Sequence, residues 1–439
     1  MERGRVRMRG SVWGAALATL SLGLLASGPA LAQAPSTVNA GDTAWLLTAT
    51  ALVLLMSLPG LALFYGGLVR AKNVLSVLMQ CTAVACLASV VWLAFGYSLS
   101  FSGAAPFIGD LGKVGLRGLG RDAVSGSVPE IVFFAFQMAF AIITPALMIG
   151  AVVERVKFSG LLAFCAGWVV LVYAPVCHWI WGGGWMATLG IKDYAGGLVV
   201  HATAGVSALV LARAVGPRDG YPRDLSPPHN PGMTMTGAGL LWVGWYGFNG
   251  GSALAANADA GMALTATHMA AASAGLVWAL IETLRFGRAS LVGLVTGVVA
   301  GLATVTPASG FISPLSGLVL GALGSLVCFE AVALVKAKLG VDDSLDVFAV
   351  HGVGGILGTL MAILANKALG GQGYAEGVTL AGQAWRQGLG VLVVCAWSAG
   401  ASLVLVAIVR RLTGLRASDE VIDDGLDLGA HGERAYHLS

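Results

Sequence analysis

Charge is what this sequence has least of. Asp, Glu, Lys and Arg make up 11% of its 439 residues, against about 25% in an ordinary soluble protein. A chain this poor in charge cannot cover a water-facing surface, which excludes a soluble globular protein. Long basic blocks are missing, as is any strip interleaving basic and aromatic residues, and nucleic-acid binding is excluded with them. None of the six cysteines (Cys81, Cys86, Cys165, Cys177, Cys328, Cys395) forms a CxxC, and all lie in or at the edge of apolar segments. They read as small core residues, which leaves no disulfide framework and no cysteine metal site.

What is there is apolar: 57% hydrophobic residues, in recurring runs of the roughly 20 residues that cross a bilayer. The first 32 residues differ. Arg3, Arg5, Arg7 and Arg9 precede the short run "VWGAALATLSLGLLA" and then "ALA" at 30–32, the pattern of a signal peptide cleaved after Ala32. Breaks in the apolar runs mark eleven spans, near 44–68, 74–100, 129–152, 159–179, 194–214, 233–256, 262–284, 289–306, 313–337, 346–367 and 387–412. The domains expected are therefore a signal peptide (1–32), a membrane domain (33–412) and a polar, acidic tail (413–439). With the start of the first span outside, fourteen basic residues fall in inner loops and six in outer ones. The positive-inside rule then puts the N-terminus outside and the tail in the cytoplasm.

Two internal echoes follow. "DYAGGLVVHATAG" (193–205) is matched by "DDSLDVFAVHGVGG" (342–355), with Asp193 and Asp343 each eight residues before a histidine, His201 and His351. "LFYGG" (63–67) is matched by "GWYGF" (244–248). Both pairs are related by a shift of five spans, an odd number, so the chain reads as two inverted five-helix repeats plus a C-terminal helix. Such a plan is expected to bring the two histidines together near mid-depth. An ionisable residue there marks a functional site by default.

"LPGLALFYGGLVRAKNVLS" (58–76), "GAVVERVKFS" (150–159), "WGGG" (181–184), "DYAGGLVVH" (193–201), "WYGFNGGS" (245–252), "VTPASGFI" (305–312), "DVFAVHGVGG" (346–355) and "GLDLGAHGERAY" (425–436) together carry a resemblance. The chain resembles the Amt/MEP/Rh ammonium transporter family, in its bacterial Amt branch, over about residues 42–436. The resemblance implies an all-α integral membrane protein of the bacterial cytoplasmic membrane, not an enzyme, without cofactor or metal. It implies a homotrimer with one pore per subunit, in the service of nitrogen metabolism, and a cytoplasmic PII-type signal protein as partner. Trp181, Ser252 and Phe140 are expected to capture ammonium, Phe140 and Phe248 to form a gate, and His201 and His351 to conduct ammonia with or without its proton. Several phenylalanines compete in "FFAFQMAF", and Phe136 is the other candidate for the position given to Phe140. Trp181 also reads as an interfacial anchor. Asp193 is expected to play a structural part near the capture site by capping its helix. Asp343 and Asp346 are candidate caps of the tenth span, and Glu282 a partner for Arg285 at i+3. Glu330 has no role legible here.

Two other functions fit parts of this pattern. A sensor could bind ammonium and signal through the tail with little flux. A pair of facing histidines is also how a b-type haem is held.

Overall fold

The computed structural model describes residues 38–436 apart from Leu225, so the signal-peptide reading of residues 1–32 lies outside the described residues. Among these, nine helices are long and apolar enough to cross a membrane: α1 (Ala40–Leu68), α2 (Ala71–Phe101), α3 (Glu130–Ala151), α4 (Phe158–Leu189), α5 (Gly197–Val215), α7 (Ala258–Phe286), α9 (Pro314–Leu339), α10 (Phe348–Ala365) and α11 (Leu380–Leu412). Two shorter ones complete the bundle, α6 (Pro231–Trp245) and α8 (Leu291–Val305). Each has 15 residues, a rise of about 22 Å, and α6 is prolonged by a wider turn over Tyr246–Gly250. One small addition to an all-helical chain is a hairpin pairing Val124–Ser125 with Val128–Pro129.

Helices begin where the sequence offers a cap. Side chains of Asn39, Asn230, Asn257, Ser290, Ser313 and Thr379 each accept the backbone N–H three residues on, satisfying a donor that the first turn leaves free. Helix α11 starts seven residues before its expected position because its early polar residues are not exposed. Buried Gln387 donates to the carbonyls of Lys192 and Thr359 and accepts from the Lys192 N–H.

The packing has a pattern of its own. Helix α1 lies against α6, and α5 against α10, while α7 runs along both α8 and α9 as α2 runs along α3 and α4. At the α5–α10 crossing the backbones come close, and a Cβ on Gly205 would stand 2.3 Å from the Gly352 Cα. Small residues of this kind let backbones meet in lipid, where no hydrophobic drive pulls helices together. Gly205→Val is accordingly expected to push α5 off α10 and cut transport more than tenfold, measured as flux in proteoliposomes per folded protein.

Loops at the tail face are pinned by a residue that reads in sequence as an ordinary inner-loop cation. Arg155 is fully buried. Its guanidinium donates to the carbonyls of Gly216, Val153, Ala151 and Asp342 and to the Ser344 hydroxyl, while Asp342 pairs at 2.9 Å with Arg218. The tail is laid on this face. Its short helices α12 (Asp419–Asp424) and α13 (Leu426–His431) present Asp427, whose carboxylate accepts the N–H groups of Leu75 and Ser76 at 3.0 and 2.7 Å. A tail residue therefore supplies a carboxylate cap to the start of a membrane helix, where the exposed N–H groups favour an anion.

Two expectations are corrected here. Arg285 pairs with Glu330 on α9, not with Glu282; Glu330 thereby gains a role. Glu282 instead accepts from the backbone and hydroxyl of Ser290, because the short α7–α8 turn brings that helix start beneath it. Asp346 does not cap α10 with its side chain, which pairs with Lys336 at 2.7 Å.

Asp343 does cap α10, accepting from Val347 and Phe348 at 3.0 and 2.6 Å. Burial pushes its carboxyl up to about 7, Asp346 adding to the effect. A carboxyl raised above its unfolded value of about 3.9 stabilises fully below that value and loses the contribution as pH rises through about 7. Melting temperature in detergent is expected to decline between pH 4 and 7 in the parent, and less steeply in Asp343→Asn.

Candidate functional site

Helix α4 is interrupted after Ile180, turning through Trp181 before its last short stretch at Trp185–Leu189. The turn leaves Trp181 half-buried with its indole N–H donated to the Asp193 carbonyl at 2.9 Å. Asp193 is itself buried, and its carboxylate accepts four backbone N–H groups, from Gly196, Gly197, Leu198 and Val199, at 2.6–3.1 Å. Burial pushes this carboxyl up while the four N–H bonds pull the other way. Its oxygens are engaged with the backbone, so the side chain builds the start of α5.

Phe140 and Ser252 join Trp181 around a cavity open to this face. The Ser252 hydroxyl donates to the Phe248 carbonyl at 2.8 Å, which leaves its oxygen lone pairs as acceptors. The Phe140 ring stands edge-on to Trp181 with centroids 5.6 Å apart. Its opposite neighbour is Phe248, at 4.3 Å and a tilt of 32°. Both phenylalanines are buried; Phe140 lines the cavity and Phe248 lines a narrower one behind it. Phe136 is different: it meets the Phe140 ring edge-on at 5.0 Å, beside Gly251.

Behind Phe248 lies a narrow passage walled by residues such as Leu61, Ile143, Leu147 and Trp245. His201 and His351 face it, both buried, with Nδ1 atoms 3.2 Å apart. One proton between those nitrogens fixes complementary tautomers. The ring that donates from Nδ1 has a bare Nε2, and the ring that accepts has an Nε2–H. His201 Nε2 is enclosed and has no partner among the described residues, so it is free for whatever occupies the passage. His351 also lines a second cavity, which opens beside Lys336 and Asp346 toward the tail face. The pair therefore spans the step from one cavity to the other. Both histidines sit on stretches of widened helix, Gly197–Ala202 and Phe348–Val353, each launched by its buried aspartate. Widened turns of this sort recur at functional sites.

A model of the Ammonium Transporter Family matches residues 44–436. The chain belongs to that family. An ammonium transporter of Bacillus subtilis is 42% identical over 406 residues, covering 91% of this chain and 99% of the relative. Among solved structures, one titled "Sensor Amt Protein" superposes with a TM-score of 0.84 at 31% identity, covering 89% of this chain and 98% of the other. Mep2 of Candida albicans superposes with 0.79 at 35% identity, covering 88% of each. Membership in the family accounts for the spacing of the eight motifs.

Two residues around the path escaped the sequence reading. Trp245 stacks on the His201 ring, centroids 5.5 Å apart and 20° from parallel, and its indole N–H is spent on Thr306. Gln137 lines the mouth cavity. Its place three residues before Phe140, on the same helical face, is the signal that could have found it.

Proposed function

We propose that this protein takes up ammonium across the cytoplasmic membrane. Trp181, Phe140 and Ser252 hold the ion at the outer mouth: ring faces attract a cation by about 0.5–2 kcal/mol, and the serine oxygen accepts one N–H. Behind the closed phenyl pair the passage is apolar. Moving an ammonium-sized charge into a dry interior carries an idealised cost of order 20 kcal/mol, whereas neutral ammonia enters cheaply. The ion therefore sheds its proton at the gate, ammonia follows the lumen, and the proton travels along the histidine pair into the inner cavity. The single observation behind this scheme is the direct 3.2 Å contact between two buried imidazoles beneath an aromatic closure.

The wider assembly follows from the same reading. All eleven helices cross the membrane as two inverted repeats and a C-terminal helix, with the N-terminus outside after signal-peptide removal. The meeting of α1 with α6 and of α5 with α10 supports this plan. Exposed His268 on α7 bonds the Tyr246 hydroxyl, a polar pair on an otherwise apolar face that suits cover by a second subunit better than lipid; the homotrimer implied by resemblance supplies it. The ordered tail and the inner loops offer a platform for a PII-type signal protein. In the haem reading an iron would sit between the histidines, and their direct hydrogen bond leaves it no space.

The test is an inward ammonium gradient imposed on proteoliposomes carrying a membrane-potential dye. A protein-dependent inside-positive potential is expected, because the ammonia and its proton both enter. A potential equal to that of empty liposomes, with an internal pH response also equal, would overturn uptake and favour the sensor.

A further inference from the structure

We infer that Gln137 is a direct ligand of ammonium at the mouth, supplying the second oxygen beside Ser252. This rests on reading that cavity as the capture site. Gln137 is 6% exposed, and its carboxamide oxygen is enclosed with no hydrogen-bond partner among the described residues, so that turning the amide over brings an unspent acceptor to the cavity. A buried amide oxygen left unpaired is costly unless something else satisfies it, and Gln137 lines the cavity that Phe140, Trp181 and Ser252 share. The Tyr194 hydroxyl is also unpaired and its residue lines the same cavity. Its phenol end, however, abuts Gly310, where a Cβ would stand 2.6 Å from the oxygen, so it belongs to the packing of that loop.

The chemistry of the mouth gives Gln137 a task. Among the described residues lining it there is no carboxylate, so the cation is held by dipoles and ring faces alone. Ammonium carries only donors, and a carboxamide turned oxygen-first accepts one of them. Potassium forms no such bonds. It requires oxygens all round to replace its hydration shell, as rings of carbonyls do in selective channels, and two oxygens with two aromatic faces cannot provide that. A neutral amide also avoids the deep well of a buried carboxylate. Release toward the gate stays easy.

Ammonium-evoked currents of the reconstituted full chain would be titrated for the parent, Gln137→Leu, Gln137→Glu and, as reference, Trp181→Leu. A charged hydrogen bond lost at this site corresponds to roughly a tenfold rise in half-saturating ammonium for Gln137→Leu, with the loss concentrated in half-saturation and not in maximal current. Gln137→Glu, nearly the same shape with a negative charge, is expected to lower half-saturation several-fold and slow turnover. If Gln137→Leu stays within twofold of the parent while Trp181→Leu shifts, Gln137 is not a ligand and the mouth remains the capture site. If neither shifts, the capture reading falls and this inference with it. Should Gln137→Leu fail to fold, an unchanged or raised half-saturation in Gln137→Glu overturns the inference alone.

Discussion

Replacing His201 and His351 together by alanine is expected to reduce the ammonium-evoked current at least tenfold, with the protein still folded by size-exclusion profile. Among the described residues lining the passage behind Phe248, the Tyr65 hydroxyl and the Trp245 indole N–H are spent on Leu147 and Thr306, whereas His201 presents a free Nε2 and His351 reaches the second cavity. Each single substitution breaks the shared proton between the two Nδ1 atoms and is expected to remove most of the current. Removing both also deletes two large side chains, so any residual current in the double variant should no longer distinguish ammonium from potassium. A double variant carrying a parental, ammonium-selective current would sink the relay.

The second large effect is at Asp193. Its carboxylate accepts four backbone N–H groups, and its carbonyl accepts the indole of Trp181. Asp193→Ala leaves those donors buried without partners, each costing about 1–3 kcal/mol. Asp193→Asn retains one acceptor oxygen and turns an NH2 toward the other two donors. The expected order of melting temperature in detergent is parent, then Asn, then Ala, with transport lost by more than tenfold in both variants because Trp181 and the start of α5 shift together. A parental melting temperature for Asp193→Ala would show that the cap is not what holds this corner.

How much of this was legible before the structure depends on the range of the interaction. The histidine pair was foreseeable because its two members repeat the same spacing from an aspartate, 150 residues apart, which an inverted-repeat reading of the spans would bring together. The phenylalanine assignments rested on resemblance, since four phenylalanines stand within "FFAFQMAF" and spacing alone does not choose among them. What stayed hidden were partners set by tertiary packing. The i+3 rule offered Glu282 to Arg285, yet Glu330 on a neighbouring helix takes it. Arg155 read as a solvated loop cation because nothing local tells that five acceptors converge on it. The tail looked like a polar end, while its Asp427 is anchored on α2 by bonds that span over 350 residues.

The most direct measurement is electrical: the parent protein in a solid-supported membrane, pulsed in turn with ammonium and with equimolar potassium. A transient current for ammonium and none for potassium is expected, because only an ion that can leave its proton at the gate crosses an apolar lumen. Currents of equal size would mean that an intact cation passes, and the deprotonating path through the histidine pair would be wrong.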